Sequence, residues 1–591
     1  MSDTALVAVI LVTLVTVAVG ARGMRVARTP ADFLVAAREV PPVVNASAIS
    51  GEYLSAASFL GVAGLVYVDG VGALWYPVGY ATGYLVLLLL VAAPLRRFGA
   101  YTIPDFAEGR LSSPLLRKVG TVFVLVIGWF YLLPQFKGAG ITLAFVMGTP
   151  YWIGVVALGT VVTANIAAGG MKGITVVQAF QFWLKIVAIA VPAVVLLALT
   201  HPRAGALDRP VGATFPKAAS VSITTPIAFN VTKAETVTGA GQLDGRTLTG
   251  PVRLEPGRHR VAAGSTLRFA AGAVAPSAIG IDELQGTSWS MPFARAGNGR
   301  QHPLAATYGL ILATFLGTVG LPHILVRFYT NRDGASARRT TAIVLLLVSC
   351  FYLFPVVFGV LGRLEAPSLY LTNNTDSVVL LLPQIGVDGA GGIVLAALVA
   401  AGAFAAFLST SSGLLISVAG ALSHDLLDGS VRTFRWCTVL AGVLATVAGL
   451  RVADFSLNLL VGWAFAIAAS TFCPLLVLGI WWRRLTRVGC LAGLLVGGLT
   501  SATAIVATMA GAGQSGWPAV LLGLPAIWTV PMSFLVMVVV SLLTPGSLPE
   551  DVEDKMLVLH LPERLRGRTA VSWPEAPSVR PDGPSILPEP G

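Results

Sequence analysis

The sequence predicts an all-α integral membrane protein with about thirteen transmembrane helices. Three observations carry this. Of 591 residues, 55% are hydrophobic and only 11% charged, where a soluble protein has about a quarter of its residues charged. The apolar residues fall in runs near the ~20 needed to cross a bilayer. The basic residues sit between those runs, and almost all lie on one side of the alternation.

The runs are 4–21, 40–68, 72–95, 116–147, 151–168 and 174–200, then 304–329, 340–362, 392–423, 432–450, 456–482, 488–511 and 518–543. The first lacks a positive charge before it and is followed by Arg22, Arg25 and Arg28, so it reads as a retained helix rather than a signal peptide. With the N-terminus outside, the inward loops hold bases such as Arg96, Arg97, Arg338, Arg339, Arg483 and Arg484. The short outward loops hold only Arg363 and Arg451. The positive-inside rule then places the C-terminus in the cytoplasm of a multi-pass cell-membrane protein. Residues 201–303 are polar, with alternating stretches such as Arg258 to Phe269, and read as an outward β-rich insert. The tail 545–591 is rich in Pro and charge and reads as disordered, above all beyond Arg568. The Gly pairs 169–170 and 391–392 read as turns at span edges.

The net charge of +11 is spread among short loops, which argues against nucleic-acid binding. Cys350, Cys437, Cys473 and Cys490 show no metal-ligand spacing and read as small buried hydrophobes. No phosphate-binding loop or catalytic triad spacing occurs, so the chain reads as neither an ATP-driven pump nor an enzyme, with no cofactor.

Ionisable side chains are costly at bilayer depth. Glu52, Lys137 and Lys185 fall inside runs. Glu52 and Lys137 read either as parts of a substrate or ion pathway or as a structural pair and a snorkelling base, whereas Lys185 reads as structural. The second run has a small, polar centre, Asn45-Ala-Ser-Ala-Ile-Ser-Gly-Glu-Tyr53, which suits an unwound helix or close helix packing. The ninth carries Ser409-Thr-Ser-Ser-Gly413, hydroxyls of the kind a hard monovalent cation takes. The seventh carries Gly320-Leu-Pro-His323, a helix break with a polar tip.

Four stretches resemble the sodium:solute symporter family, in the branch of cation/acetate and monocarboxylate symporters. They are Ile49-Ser-Gly-Glu-Tyr-Leu-Ser-Ala-Ala-Ser-Phe-Leu-Gly61, Ala168-Gly-Gly-Met171, Leu321-Pro-His-Ile-Leu-Val-Arg-Phe328, and Ser409 through Ser423-His-Asp425. The resemblance implies a core of two inverted five-helix repeats whose first helices are broken at the midplane. The chain then divides into an extra helix and loop (1–28), the first part of the core (29–200), the insert (201–303), the second repeat (304–482), two further helices (483–544) and the tail (545–591). The resemblance also implies a sodium site built from backbone oxygens at Ala46, Ile49 and Ala406 and hydroxyls of Ser409 and Thr410. A second sodium site of some members uses an acid in a Thr-Asp-x-x-Gln motif, and Val176 in Thr175-Val-Val-Gln178 reads as its replacement. Tyr53, Lys137 and His323 are the candidate substrate residues, with Glu52 expected to face protein and to be partnered.

The function expected is sodium-driven uptake of a small organic anion such as acetate, propionate or pyruvate. Two alternatives stand beside it: the same fold carrying a neutral solute (proline or a sugar) or driven by protons, and, of another class, a membrane solute sensor.

Overall fold

The computed structural model describes residues 2–24, 40–200, 214–279 without 224 and 225, 286–294, and 301–563 without 373, 428, 454, 456 and 514. Among these, ten helices are long and apolar enough to cross a membrane, joined by two shorter apolar helices, Thr4–Val19 and Tyr151–Ala167. Large apolar side chains such as Leu11, Leu14, Leu346, Leu353, Trp436 and Val443 are exposed around the bundle. A hydrocarbon surround accounts for that outer surface, since water would not.

The first helix is α1, Ser2–Met24. The second expected span is broken: α2, Pro42–Tyr53, ends where Leu54 leaves helical geometry at ψ 86°. The chain resumes through a π-helical turn at Ala57–Gly61 into α3, Val62–Asp69. A 3-10 hinge at Gly70–Leu74 leads to α4, Trp75–Val86. Gly70 has φ 61°, a left-handed backbone that favours glycine. Next come α5, Ala92–Phe98, α6, Ile103–Leu111, and α7, Pro114–Met147.

Residues Tyr151–Leu199 form α8, with two apolar arms, Tyr151–Ala167 and Gly173–Leu199. Its ends share one face of the bundle: Tyr151 OH donates to Gly449 O, and Leu196 abuts Gly386. A straight helix of that length would reach about 73 Å at 1.5 Å per residue, so the arms fold back on one another; the Gly169-Gly170 pair, expected as a turn, lies within residues assigned as helix.

The second half runs through α9, Pro303–Gly320, α10, Pro322–Val326, and α11, Gly334–Glu365. Then follow α12, Ser368–Thr372, α13, Val378–Gly386, and α14, Gly389–Gly420. Here the Gly391–Gly392 pair is helical rather than a turn. A Cβ at Gly392 would collide with Val387 O, so close packing explains that glycine. The core closes with α15, Val431–Gly449, α16, Leu457–Ser470, and α17, Phe472–Trp481. Three more helices cover its flank: α18, Arg487–Met509, α19, Gly516–Gly523, and α20, Ala526–Leu543.

The packing repeats itself. The second arm of α8 lies on α2 as α16 lies on α9, and α7 meets α16 as α14 meets α8. Likewise α4 packs on α9 as α11 packs on α2 and α3. Each half opens with a broken helix, and the two breaks meet in the middle of the bundle.

Between the halves, a seven-stranded sheet runs in the order β1-β6-β3-β5-β2-β7, with β4 paired to β3. The strands are β1 (Ala219–Ile223), β2 (Ile227–Val231), β3 (Glu235–Leu243), β4 (Arg246–Leu254), β5 (Gly257–Val261), β6 (Ser265–Phe269) and β7 (Ser277–Ala278). The β3–β4 hairpin turns at Asp244-Gly245, both at positive φ, as a tight two-residue hairpin requires. The sheet's small core, including Phe229, Val237, Leu248 and Leu267, takes in Leu371 of α12.

The expectation of a disordered tail is corrected over its first part. Here α21, Val552–His560, docks on the face opposite the sheet. Val552, Met556 and Leu559 are buried, a helical stripe that the surrounding charge and proline obscured in the sequence. Arg97–Glu563 and Arg483–Glu553 pairs, at 3.6 and 3.4 Å, border it. The expectation of disorder beyond Arg568 lies outside the described residues.

Candidate functional site

A helix that stops inside the membrane leaves its last carbonyls without helical partners. At the end of α2 each finds a partner, most of them from other helices. Ser50 O accepts from Leu54 N at 3.0 Å. Ser409 Oγ donates to Gly51 O at 2.5 Å, and Thr410 Oγ1 donates to Glu52 O at 2.6 Å. Tyr131 OH donates to Tyr53 O at 3.4 Å. Lys185 Nζ donates to Leu54 O at 3.0 Å and also to Gly51 O. On the far side of the break, Ala56 N donates to Gln135 Oε1 at 2.9 Å.

Ala46 and Ile49 lie in α2, and Ala406, Ser409 and Thr410 lie in α14; all are fully buried. The structure thus brings the hydroxyl-bearing part of α14 against the end of α2. Because each hydroxyl spends its proton on a carbonyl, its oxygen lone pairs remain for a cation.

Glu52 is completely buried and accepts from Arg327 Nε at 2.8 Å. Arg327 Nη1 donates to Thr175 Oγ1 at 2.7 Å, and Nη2 to Gln178 Oε1. Gln178 Nε2 in turn donates to Ser409 O at 2.8 Å. A Cβ at Gly413 would collide with the Glu52 carboxylate, so that glycine makes the room for the acid. Arg327 looks like one more loop base in the sequence. The signal available was Glu52 itself, since a buried carboxylate demands a counter-charge, together with the arginine inside the Leu321–Phe328 stretch.

Two readings need correction. Val176 is 55% exposed on the outside of α8, so it does not face Ser409. The residue that does is Gln178, two positions on; the position is still neutral. Lys137 does not join Tyr53 and His323. Its ammonium donates to Phe455 O in the segment before α16, toward the end of the bundle that carries the sheet. Lys137 is six residues beyond Tyr131, or about 9 Å along α7, and its long stem carries the charge outward.

Tyr53 and His323 do come together, with Tyr131 between them. Tyr131 and His323 rings lie 5.1 Å apart, edge to face. Tyr53 shares a 2.8 Å hydrogen bond with Thr318 and meets Tyr84 at 4.9 Å and Tyr80 at 5.9 Å. Phe465 closes the box against Tyr80 and Tyr131, at 5.0 and 5.7 Å. Tyr80 OH, Tyr84 OH and His323 Nε2 are buried without hydrogen-bond partners. Buried polar atoms are normally paired, so three such atoms around one box make it the candidate place for a ligand. Tyr80 and Tyr84 escaped the sequence reading although their i, i+4 spacing puts both on one helix face.

Two broken helices meeting at mid-bundle, around cation-friendly oxygens and a polar-tipped aromatic box, define a secondary transporter. The sodium:solute symporter family profile matches residues 33–233 and 292–497, and the chain belongs to that family. It is 29% identical over 526 residues to the uncharacterized symporter YwcA of Bacillus subtilis, covering 86% of this chain and 88% of that one. It is 27% identical over 527 residues to a monocarboxylic acid transporter of Corynebacterium glutamicum, covering 85% of each. Among solved structures it is similar to a sodium-coupled sialic acid symporter, with a TM-score of 0.61 at 12% identity over 91% of this chain and 98% of that one. A nucleobase-cation-symport-1 family transporter gives 0.51 at 12% identity, over 89% and 98%. Both share the fold. These relatives are transporters, not enzymes, and the chain is a multi-pass solute symporter.

Proposed function

We propose that the protein couples sodium entry to uptake of a short-chain monocarboxylate, such as acetate, propionate or pyruvate, across the cell membrane. The N-terminus lies outside and the C-terminus in the cytoplasm, as the loop charges favour. The observation that carries the anion is the box: neutral donors, Tyr80 OH, Tyr84 OH and His323, stand unpartnered among aromatic faces. The acid beside it, Glu52, is held by Arg327. A carboxylate with a short apolar tail satisfies those donors. A sugar would need more acceptors than the box offers, and the ammonium of an amino acid such as proline would have to share Glu52, whose Oε2 Arg327 already holds, through the remaining Oε1. The monocarboxylic acid transporter among the relatives points the same way.

The coupling ion is one sodium, held by the Ala46, Ile49 and Ala406 backbone oxygens and the Ser409 and Thr410 hydroxyls. Thr175 to Gln178 carries no acid for a second cation, and the acid nearby, Glu52, is paired with Arg327. Uptake of labelled acetate into proteoliposomes under an inward sodium gradient tests this. Unlabelled propionate and pyruvate should compete, and proline and glucose should not. Competition by proline or glucose, or an equal drive from a proton gradient, would redirect the assignment.

A further inference from the structure

Lys185 is the one charge at the break that the mechanism above does not use. It is fully buried in the second arm of α8, and its ammonium bonds Gly51 O and Leu54 O. Glu52 is the nearest acid that acts on it, and Glu52 is already paired with Arg327. No carboxylate lies within ion-pair distance of Lys185 Nζ among the described residues. The neighbours on its own helix, Gln178 and Gln181, are neutral and bond elsewhere, to Ser409 O and Thr16 Oγ1. With Lys185 as an ammonium, the buried cluster of Glu52, Arg327 and Lys185 carries one positive charge in excess.

That charge sits on the carbonyls at the end of α2, the helix that carries Ala46, Ile49 and Tyr53. Gly51 O, which Lys185 bonds, also receives Ser409 Oγ, a proposed sodium ligand. Leu54 O, its other acceptor, follows Tyr53, whose ring is a wall of the box. The end of α2 also carries the negative pole of its helix dipole, which an ammonium stabilises. A fixed cation here attracts an anion in the box and repels a cation on Ser409 and Thr410.

We propose that Lys185 is a tethered counter-charge for the substrate carboxylate, which favours anion binding and weakens sodium binding until the anion is present. It acts without touching the substrate, as a positioning residue. The inference rests on the sodium–carboxylate reading above and supplies the positive charge that the displaced Lys137 does not. Its signature is a pair of opposite shifts, which a packing defect would not produce.

The test uses the full-length protein in proteoliposomes, measuring half-saturating sodium at acetate far below saturation, where the box is mostly empty, and half-saturating acetate at fixed sodium. In Lys185→Met the sodium value should fall and the acetate value rise, each by about five-fold or more, while Lys185→Arg stays near wild type. Gln181→Glu keeps the lysine and sets a carboxylate one turn away on the same helix face. It should shift both values in the same directions as Lys185→Met, and it serves if the methionine variant does not fold. Both values worsening together, or neither moving, overturns the counter-charge and leaves the sodium–carboxylate reading standing. Wild-type protein without sodium-dependent acetate uptake overturns that reading and this inference with it.

Discussion

At the scale of residues, the site depends on where protons and charges are spent. Ser409 and Thr410 give their protons to α2 carbonyls, so alanine at both removes two of the proposed cation ligands and two caps together. Half-saturating sodium should rise at least about ten-fold, two charge-free ligands costing about 1.4 kcal/mol or more, with protein still in the membrane; an unchanged value contradicts the site. The Glu52–Arg327 pair behaves differently. Arg327→Met leaves a carboxylate buried without its partner and should cost about 3–5 kcal/mol, seen as a large loss of thermal stability. The double change Glu52→Gln, Arg327→Met should recover much of it, and a double variant no better than the single one would count against the pair. Glu52, Ser409 and Thr410 were legible in the sequence because polar residues stand out in an apolar run. Arg327 and Lys185 were not, since a base near a span end looks like a loop residue or a snorkel until its acceptors are seen. The same ambiguity misled for Lys137, and helix phase misled for Val176.

At the scale of elements, both breaks were written in the chain, one as a run of small polar residues and the other as Gly-Leu-Pro. What the sequence did not reveal is that side chains of α7, α8 and α14 complete the end of α2, because those partners are 78 to 358 positions away. Sheet register was equally hidden: β1 pairs with β6 across the intervening strands. The segment Gly286–Ser290 and its neighbours lie on the hinge between α3 and α4, where Trp289 Nε1 donates to Tyr67 O at 3.3 Å. A Cβ at Gly70 would strike Trp289, and φ is positive there. Gly70→Ala should therefore lift this segment and expose it to limited proteolysis; an unchanged digestion pattern would contradict the docking. Within the sheet, burial opposes charge on His259, but bonds to the Glu255 carbonyl and the Asp244 carboxylate outweigh it and raise its pKa. A raised folded pKa gives stability that is complete below the ordinary value of about 6.5 and lost as pH rises through the folded one. Proteolysis of the sheet should accordingly quicken above that range, and His259→Gln should remove the dependence.

At the scale of the whole molecule, apolar runs of span length and the sidedness of the loop bases were enough for the architecture, because the bilayer leaves few alternatives to helices. The docked α21 was missed because its apolar stripe is three residues among charges. Glu563 beyond it reaches both halves, accepting from Gly334 N of α11 at 2.7 Å while pairing with Arg97 at the end of α5. In the proposed function one sodium ion and one carboxylate anion cross together, so that the load is neutral. Moving one net charge across 100 mV is worth about 2.3 kcal/mol, which separates this from other stoichiometries. The direct measurement is acetate accumulation in proteoliposomes, first under a sodium gradient with the potential clamped at zero, then with a potassium-diffusion potential, negative inside, added. Accumulation driven by sodium and little changed by the potential is the result predicted. Uptake that ignores sodium, or that rises steeply with the potential, would contradict it.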